Sequence, residues 1–342
     1  MNSPLVSVVM PARNAATTIE AAIRSIIKQD FKEFEFILVD HRSDDSTHRL
    51  MLQAAEADPR IRVHQSRGTF VEAANLAWRK AGGKFIARMD SDDRAYPQRL
   101  SHQLRHLTQH PGLAACGSLV RICKRGENGK AGPADEGYQR YESWINSVIT
   151  PEEIRIRRFI DSPIPNPTAM IRRSVLESSG GYDDPPWAED YDFWLRLIEE
   201  GHHIGKVPEV LLDWYDSPGR STRTVARYRI DQFQNAKAHF LSRLSSIRKH
   251  GVAICGAGPT GKEIARLLKK QKITTNCFLE VNERQIGQTI ADIPVLDHRY
   301  LEQLPKTLIL LSAVGNRSSR ERITKLATSA GRVEGKNFFS VA

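Results

Sequence analysis

The run Phe85-Ile86-Ala87-Arg88-Met89 leads straight into Asp90-Ser91-Asp92-Asp93, three carboxylates within four residues. Uncompensated carboxylates are costly to bury, so the run reads as a buried strand whose carboxyl end opens on a cleft. Residues two apart in extended chain point the same way, which pairs the side chains of Asp90 and Asp92. Such a pair suits a hard divalent cation, Mg²⁺ or Mn²⁺, of the kind that bridges phosphate oxygens. Taken alone, the cluster describes a surface turn with helix-capping aspartates just as well. A second signal is Gly256-Ala257-Gly258-Pro259-Thr260-Gly261, which follows the apolar run 252–255 and precedes a helix expected over 262–270. Its glycines permit a tight turn and let a pyrophosphate approach the helix N-terminus, and Glu280 ends the next strand at the spacing of a ribose-binding acid. Gly256, Gly258, Gly261 and Glu280 are therefore candidates to bind a nucleotide. No Tyr-x-x-x-Lys pair follows them, so this region reads as accessory rather than as a hydride-transfer centre.

These residues need elements to hold them. Val6-Ser7-Val8-Val9-Met10 is a β-branched strand broken by Pro11-Ala12-Arg13-Asn14, and Phe34-Glu35-Phe36-Ile37-Leu38-Val39 is a second strand ending at Asp40. A helix is expected from Thr17 or Thr18 through Lys28, another after the 43–47 turn, a short strand over 61–63 and a helix over 71–80 stopped by Gly82-Gly83. Strands alternating with helices across short loops predict an α/β fold with a parallel, doubly wound sheet. Ligands meet such sheets at the strands' carboxyl ends, where Pro11, Asp40, Arg67 and Asp92 gather. The Gly-, Pro- and charge-rich stretch 124–141 reads as a loop, and the helix expected after it carries Trp144. Residues 225–250 read as one amphipathic helix with interleaved Arg and Lys, packing on the first domain or lying on a membrane surface.

At 342 residues the chain has room for two domains, and 40% hydrophobic with 26% charged residues is ordinary for a globular protein. Cys116, Cys123, Cys255 and Cys277 lack metal-ligand spacing and read as reduced thiols. No apolar run reaches the ~18 residues a membrane span needs, and Met1-Asn2-Ser3-Pro4 has no signal-peptide character, so a cytoplasmic setting is expected. The net charge of +10 is uneven: residues 1–219 carry 28 Lys and Arg against 31 Asp and Glu, residues 220–342 carry 22 against 9. A basic back suits anionic lipid at the inner membrane face or a phosphorylated acceptor; nucleic acid is disfavoured because no stacking motif accompanies the charge.

Several blocks together resemble a known family. Val6-Ser7-Val8-Val9-Met10-Pro11-Ala12-Arg13-Asn14, then Ile37-Leu38-Val39-Asp40 with Ser43, Asp45 and Thr47, then Asp90-Ser91-Asp92-Asp93 are similar to family 2 glycosyltransferases of the GT-A fold. Pro165-Asn166-Pro167-Thr168-Ala169-Met170 with Gly180-Gly181-Tyr182-Asp183, Ala188-Glu189-Asp190-Tyr191-Asp192-Phe193-Trp194, and Pro208-Glu209-Val210-Leu211-Leu212 with Trp214-Tyr215 continue the likeness in order. The resemblance implies a GT-A domain with a Rossmann-like mixed sheet and inverting transfer of a sugar from a nucleotide-diphosphate donor, UDP-sugar first, to an acceptor hydroxyl. Carried over by position, Pro11, Ala12, Asn14 and Asp40 line the nucleoside pocket with Arg67. Asp90 touches ribose or sugar, and Asp92 holds Mn²⁺ or Mg²⁺ on the diphosphate. Asp190 is the general base, with Glu189 beside it. Arg220, or Arg223 close by, is the lid residue near the diphosphate. One departure stands out: where the family has Asp-Gly after the second-strand aspartate, this chain has His41-Arg42.

The C-terminal part resembles short Rossmann-like nucleotide-binding domains of sugar-modifying and polysaccharide-assembly proteins. The expected organisation is a GT-A domain over 1–224, a linker helix over 225–250 and a Rossmann-like accessory domain over 251–342. The implied partners are a nucleotide-sugar donor and a glycan or lipid-linked acceptor in surface polysaccharide assembly, with self-association and peripheral contact with anionic membrane as further options. Two rivals remain: an NAD-dependent sugar-nucleotide-modifying enzyme run from the Gly-rich domain, and a non-catalytic scaffold.

Overall fold

A computed structural model describes residues 4–125, 131–216 and 225–342. It divides into two compact units, Met1–Ile154 with Pro163–Pro185 and Glu189–Thr224, and Arg155–Ser162 with Pro186–Ala188 and Val225–Ala342.

The first unit is built on β1 (Val6–Ala12), β2 (Phe34–His41), β3 (Ile61–Ser66), β4 (Phe85–Arg88), β5 (Arg94–Ala95), β6 (Leu113–Arg125), β7 (Ala131–Pro133), β8 (Met170–Arg172) and β9 (His203–Asp216). The strand order is β3-β2-β1-β4-β8-β6-β9-β5, with β7 on β6. The first four strands are parallel, whereas β8 runs antiparallel to both β4 and β6, so the sheet is mixed. Apolar residues fill β1 and β2 because both faces are covered. Alternate residues serve opposite cores: Val8, Met10, Phe36 and Leu38 pack with Ile19, Ile23 and Ile26, while Val9, Ile37 and Val39 pack with Ala74, Ala77 and Trp78. The helix Phe70–Lys80 is started by a reciprocal cap, Thr69 Oγ1 accepting from Glu72 N–H at 3.2 Å and Glu72 Oε2 from Thr69 N–H at 2.5 Å.

Two expected elements differ. In place of the 124–141 loop, β6 runs to Arg125, β7 pairs back on it and a helix occupies Glu136–Ser147; residues 126–130 lie outside the described set. Trp144 on that helix packs against both cores, 5.8 Å from the Tyr141 ring. The single helix expected over 225–250 is a short 3₁₀ turn followed by helices Ile230–Arg243 and Ser245–His250. Leu244 is extended, with ψ 120°, and Arg248 Nε–H donates at 2.9 Å to Ser242 O, a carbonyl that the break leaves open.

The second unit is a six-stranded sheet of β10 (Val252–Cys255), β11 (Thr275–Glu280), β12 (Thr289–Ile290), β13 (Ile293–Asp297), β14 (Ile309–Ser312) and β15 (Phe338–Ser340), ordered β12-β13-β11-β10-β14-β15. Every pairing is parallel except β12 with β13, a Rossmann-like arrangement. Segment 155–162 belongs to this unit: Lys237 Nζ donates to Ile160 O at 2.8 Å and to Val341 O at 3.0 Å, and the Phe159 and Phe339 rings lie 5.9 Å apart. Burial pushes the Lys237 amine down to about 8. All four cysteines are free and buried. Among the described residues no helix is long and apolar enough to cross a membrane.

Candidate active site

The carboxyl ends of β1, β2 and β3 meet in register: Ala12 pairs with Asp40, and Asp40 with Gln65. Beyond them lies a cleft of about 430 Å³ lined by Asp40, Arg42, Ser43, Gln65, Ser66 and Arg67. Asp40 and Arg67, which the sequence places in one pocket, do share this cleft. Pro11 and Ala12 are buried within β1 and are not among the residues lining it. Asn14 fastens the loops around it: its N–H donates to Ser43 Oγ at 3.1 Å, and its Oδ1 accepts from Asp44 N–H at 3.0 Å. Ala15 N–H adds a 2.7 Å bond to Thr47 Oγ1, and Ala16 N–H a 3.0 Å bond to Asp45 Oδ2. Asp40 is buried, accepts from Ser43 N–H at 3.3 Å and faces His48 Nδ1 at 3.7 Å.

The aspartate cluster follows β4 directly. One carboxylate oxygen each from Asp90, Asp92 and Asp93 can be chosen so that all lie within 4.8 Å of one another, and three hard oxygen donors at that spacing fit a Mg²⁺- or Mn²⁺-sized cation. Their surroundings assign them unequal tasks. Asp93 is buried and accepts from Tyr215 N–H at 2.9 Å, anchoring the cluster to β9. Asp90 Oδ1 lies 2.7 Å from a guanidinium nitrogen of Arg88. Asp92 is half-buried, and its main-chain oxygen accepts from Arg125 at 2.7 Å. Beneath them the fully buried Arg99 donates to Arg88 O at 2.5 Å, and burial pulls its pKa down to about 10. Arg88 and Arg99 are partners the motif reading missed; an arginine inside an apolar strand run was the available signal.

Glu189 and Asp190 open the helix Glu189–Glu199, whose position is set from several sides. Arg196 on this helix donates to Asp192 at 2.8 Å and to Gly181 O at 2.7 Å. Gly180 and Gly181 sit at φ 77° and 81°, conformations that favour glycine, and a Cβ on Gly181 would lie 2.5 Å from Asn75 Oδ1. Asn75 in turn donates to Tyr182 O at 2.7 Å and accepts from Tyr182 N–H at 3.0 Å. Tyr182 is thereby held in the field of Arg88, Asp190, Glu189 and Asp90, and its burial raises the phenol's pKa. Asp190 is pushed up to about 7, first by burial and then by repulsion from Glu189, with Asp90 contributing; N–H bonds from Tyr191 and its own backbone oppose the rise. A carboxylate with a pKa near 7 suits proton abstraction from a hydroxyl at neutral pH.

That shift has a stability consequence. Unfolded Asp190 loses its proton near 3.8, whereas the folded group keeps it to about 7, so the fold is penalised above pH 7 and unpenalised below about pH 4. Asp190→Asn should stabilise the protein at pH 8 by on the order of 1–2 kcal/mol, given the group's partial exposure, and the gain should vanish at pH 4. Thermal melts at both pH values check this; a lower melting temperature for the variant at pH 8 would contradict it.

Arg220 and Arg223 fall outside the described residues. In the second unit Gly256 has φ 99°, and a Cβ on Gly261 would sit 1.9 Å from Gly256 O, so the turn brings helix Pro259–Lys270 hard against the strand end. Glu280 accepts from Ala257 N–H at 2.8 Å, tying the end of β11 to the Gly-rich turn.

Comparison with known proteins supplies the remaining findings. The family model "Glycosyl transferase family 2" matches residues 7–180, and "CoA binding domain" matches residues 247–330. The Escherichia coli UDP-Glc:alpha-D-GlcNAc-diphosphoundecaprenol beta-1,3-glucosyltransferase WfgD is 34% identical over 204 residues, 59% of this chain and 73% of that one. The crystal structure of S. aureus TarS 1-349 in complex with UDP-GlcNAc aligns with TM-score 0.53 and 20% identity, covering 77% of this chain and 71% of that one. Mannosyltransferase PcManGT from Pyrobaculum calidifontis, in complex with GDP-Man and Mn²⁺, aligns with TM-score 0.51 and 20% identity over 79% and 70%. At 20% identity these structures speak for the fold, which is GT-A.

Proposed function

The chain belongs to glycosyltransferase family 2 and acts on nucleotide sugars, and from that premise we propose inverting transfer from a UDP-sugar to an acceptor hydroxyl in surface polysaccharide or lipid-linked glycan assembly. The observation that carries the reading is the presence of two distinct acidic groups: the Asp90-Asp92-Asp93 cluster after β4, and Asp190 on another element with its pKa raised to about 7.

Asp40 and Arg67 receive the nucleoside in the cleft at the strand ends, with Pro11 and Ala12 ending the adjoining strand and Asn14 bracing the 43–44 loop. Asp92, with Asp90 beside it, would hold Mn²⁺ or Mg²⁺, which when bound neutralises charge on the departing diphosphate. Asp190 takes the proton of the acceptor hydroxyl as that oxygen attacks the anomeric carbon. The bond from that carbon to the diphosphate oxygen breaks on the opposite face, so one displacement inverts the centre. Glu189 raises the basicity of Asp190 and contacts the acceptor or sugar. Arg88 holds Asp90 in place at 2.7 Å. A metal-bound carboxylate is a weak base, which is why the two tasks need different residues. WfgD, named for a UDP-Glc donor and a diphosphoundecaprenol-linked acceptor, supports the donor and acceptor classes, and Mn²⁺ in PcManGT supports the cation. The setting that follows is the cytoplasmic face of a membrane carrying the acceptor, with a nucleotide bound at Gly256, Gly258, Gly261 and Glu280 as an accessory ligand.

The test follows nucleoside diphosphate release from UDP-, dTDP- and GDP-sugars with and without Mn²⁺, using a polyprenyl-diphosphate-linked sugar as acceptor. Mn²⁺-dependent UDP release with a β-linked product from an α-linked donor is expected. A retained anomer, or no release from any donor, would contradict the reading.

A further inference from the structure

Arg42 is the departure that the active-site motif leaves unexplained. It stands where the family resemblance expects glycine, and the chain keeps the glycine-like conformation: Arg42 has φ 55°. For a residue with a Cβ the left-handed region is strained. The cost is met by the neighbours that over-determine the turn. Ser43, the next residue, gives its N–H to Asp40 and takes Asn14 N–H on its hydroxyl, and Asp44 N–H is held by Asn14 Oδ1. The turn thus folds back onto Asp40 and sets Arg42 on the wall of the same cleft as Asp40 and Arg67. Arg42 and Arg67 are exposed, and among the described residues neither guanidinium is ion-paired.

A cleft wall of one carboxylate and two guanidiniums offers an acceptor and two sets of donors. Guanidinium cannot accept a hydrogen bond, and an ionised carboxylate cannot donate one. The imide edge of uracil or thymine presents carbonyl, N–H and carbonyl, which is the complement of donor, acceptor, donor. Guanine's corresponding edge has one carbonyl and two adjacent donors, which the two oxygens of a single carboxylate can take, leaving one arginine without an acceptor; cytosine's has an amino group and two acceptors, which sets an acceptor against the carboxylate and a donor against an arginine. The geometry points to Arg42 as a specificity-determining residue that reads a pyrimidine imide carbonyl, restricting the donor to uridine or thymidine diphosphate sugars. The inference rests on the proposed donor cleft and goes beyond it by assigning discrimination to a residue outside the motif.

Arg42→Gly is the informative variant, because glycine adopts φ 55° without strain and the turn's backbone bonds are kept. Titration calorimetry of UDP, dTDP, GDP and CDP in Mn²⁺ against the full chain, Arg42→Gly and Asp40→Ala reads the result. Expected is binding of UDP and dTDP by the parent, weakened roughly ten- to a hundredfold in Arg42→Gly, as for loss of one good base contact, with its melting temperature unchanged or raised. Asp40→Ala should lose UDP binding as well. If Arg42→Gly binds UDP like the parent while Asp40→Ala does not, the role of Arg42 falls and the donor cleft stands. If neither substitution matters, the cleft itself is misassigned, and tighter parent binding of GDP or CDP than of UDP would overturn the imide assignment.

Discussion

Asp190→Ala should lower turnover by about 10²–10⁴-fold while leaving UDP-sugar affinity within about twofold of the parent. On the proposed mechanism the loss is confined to kcat, because Asp190 takes the acceptor's proton while the proposed nucleotide cleft is lined by Asp40 and Arg67. The pH profile gives an independent reading. A general base must be deprotonated to act, and burial with repulsion from Glu189 raises Asp190 to about 7. Turnover in the parent should therefore fall tenfold per pH unit below about 7 and level above it. Asp190→Asn should remove that limb, and a parent profile flat between pH 5 and 8 would exclude Asp190 as the titrating base. An acid of ordinary pKa would place the limb near 4, so the two cases are well separated.

Asp92→Ala should abolish the Mn²⁺-dependent part of donor binding, with affinity for UDP in Mn²⁺ falling by on the order of 10²-fold or more. The contact between Arg125 and the main-chain oxygen of Asp92 survives in alanine. Asp93 is the instructive contrast. Its buried carboxylate holds Tyr215 N–H, so Asp93→Ala leaves a buried donor unsatisfied and should cost about 1–3 kcal/mol of stability. Equal effects of the two substitutions on the folded protein's Mn²⁺ response would remove the distinction drawn between them.

Much of this site is legible in the sequence for a physical reason. Period-two and period-3.6 patterns of apolar residues identify strands and helices, and an alternating α/β order brings strand ends together whatever the loops contain. Asp40 and Arg67, 27 positions apart, share a cleft on that basis. What the pattern cannot carry is the partner that comes from elsewhere in the chain. Asp93 reads as one more carboxylate of the cluster, whereas its carboxyl also anchors β9 through Tyr215 N–H, and Arg88 looks like an interruption of a buried strand until Asp90 pairs with it. The left-handed Arg42 is invisible because an arginine carries no conformational signal, unlike the glycine the motif leads one to expect. The helix break at Leu244 has no proline or glycine to announce it, and segment 155–162 belongs to the second unit through partners far along the chain, among them Lys237, Gly335 and Phe339.

The most direct measurement is calorimetric titration of UDP with and without Mn²⁺ into the parent, Asp92→Ala and Asp190→Ala. Manganese-enhanced binding that is equal in the parent and Asp190→Ala, and absent in Asp92→Ala, is the expected result: the nucleotide and its cation belong to the first acidic cluster and the proton to the second. Loss of that enhancement in Asp190→Ala as deep as in Asp92→Ala, or binding indifferent to Asp92, would contradict the division of labour on which the mechanism rests.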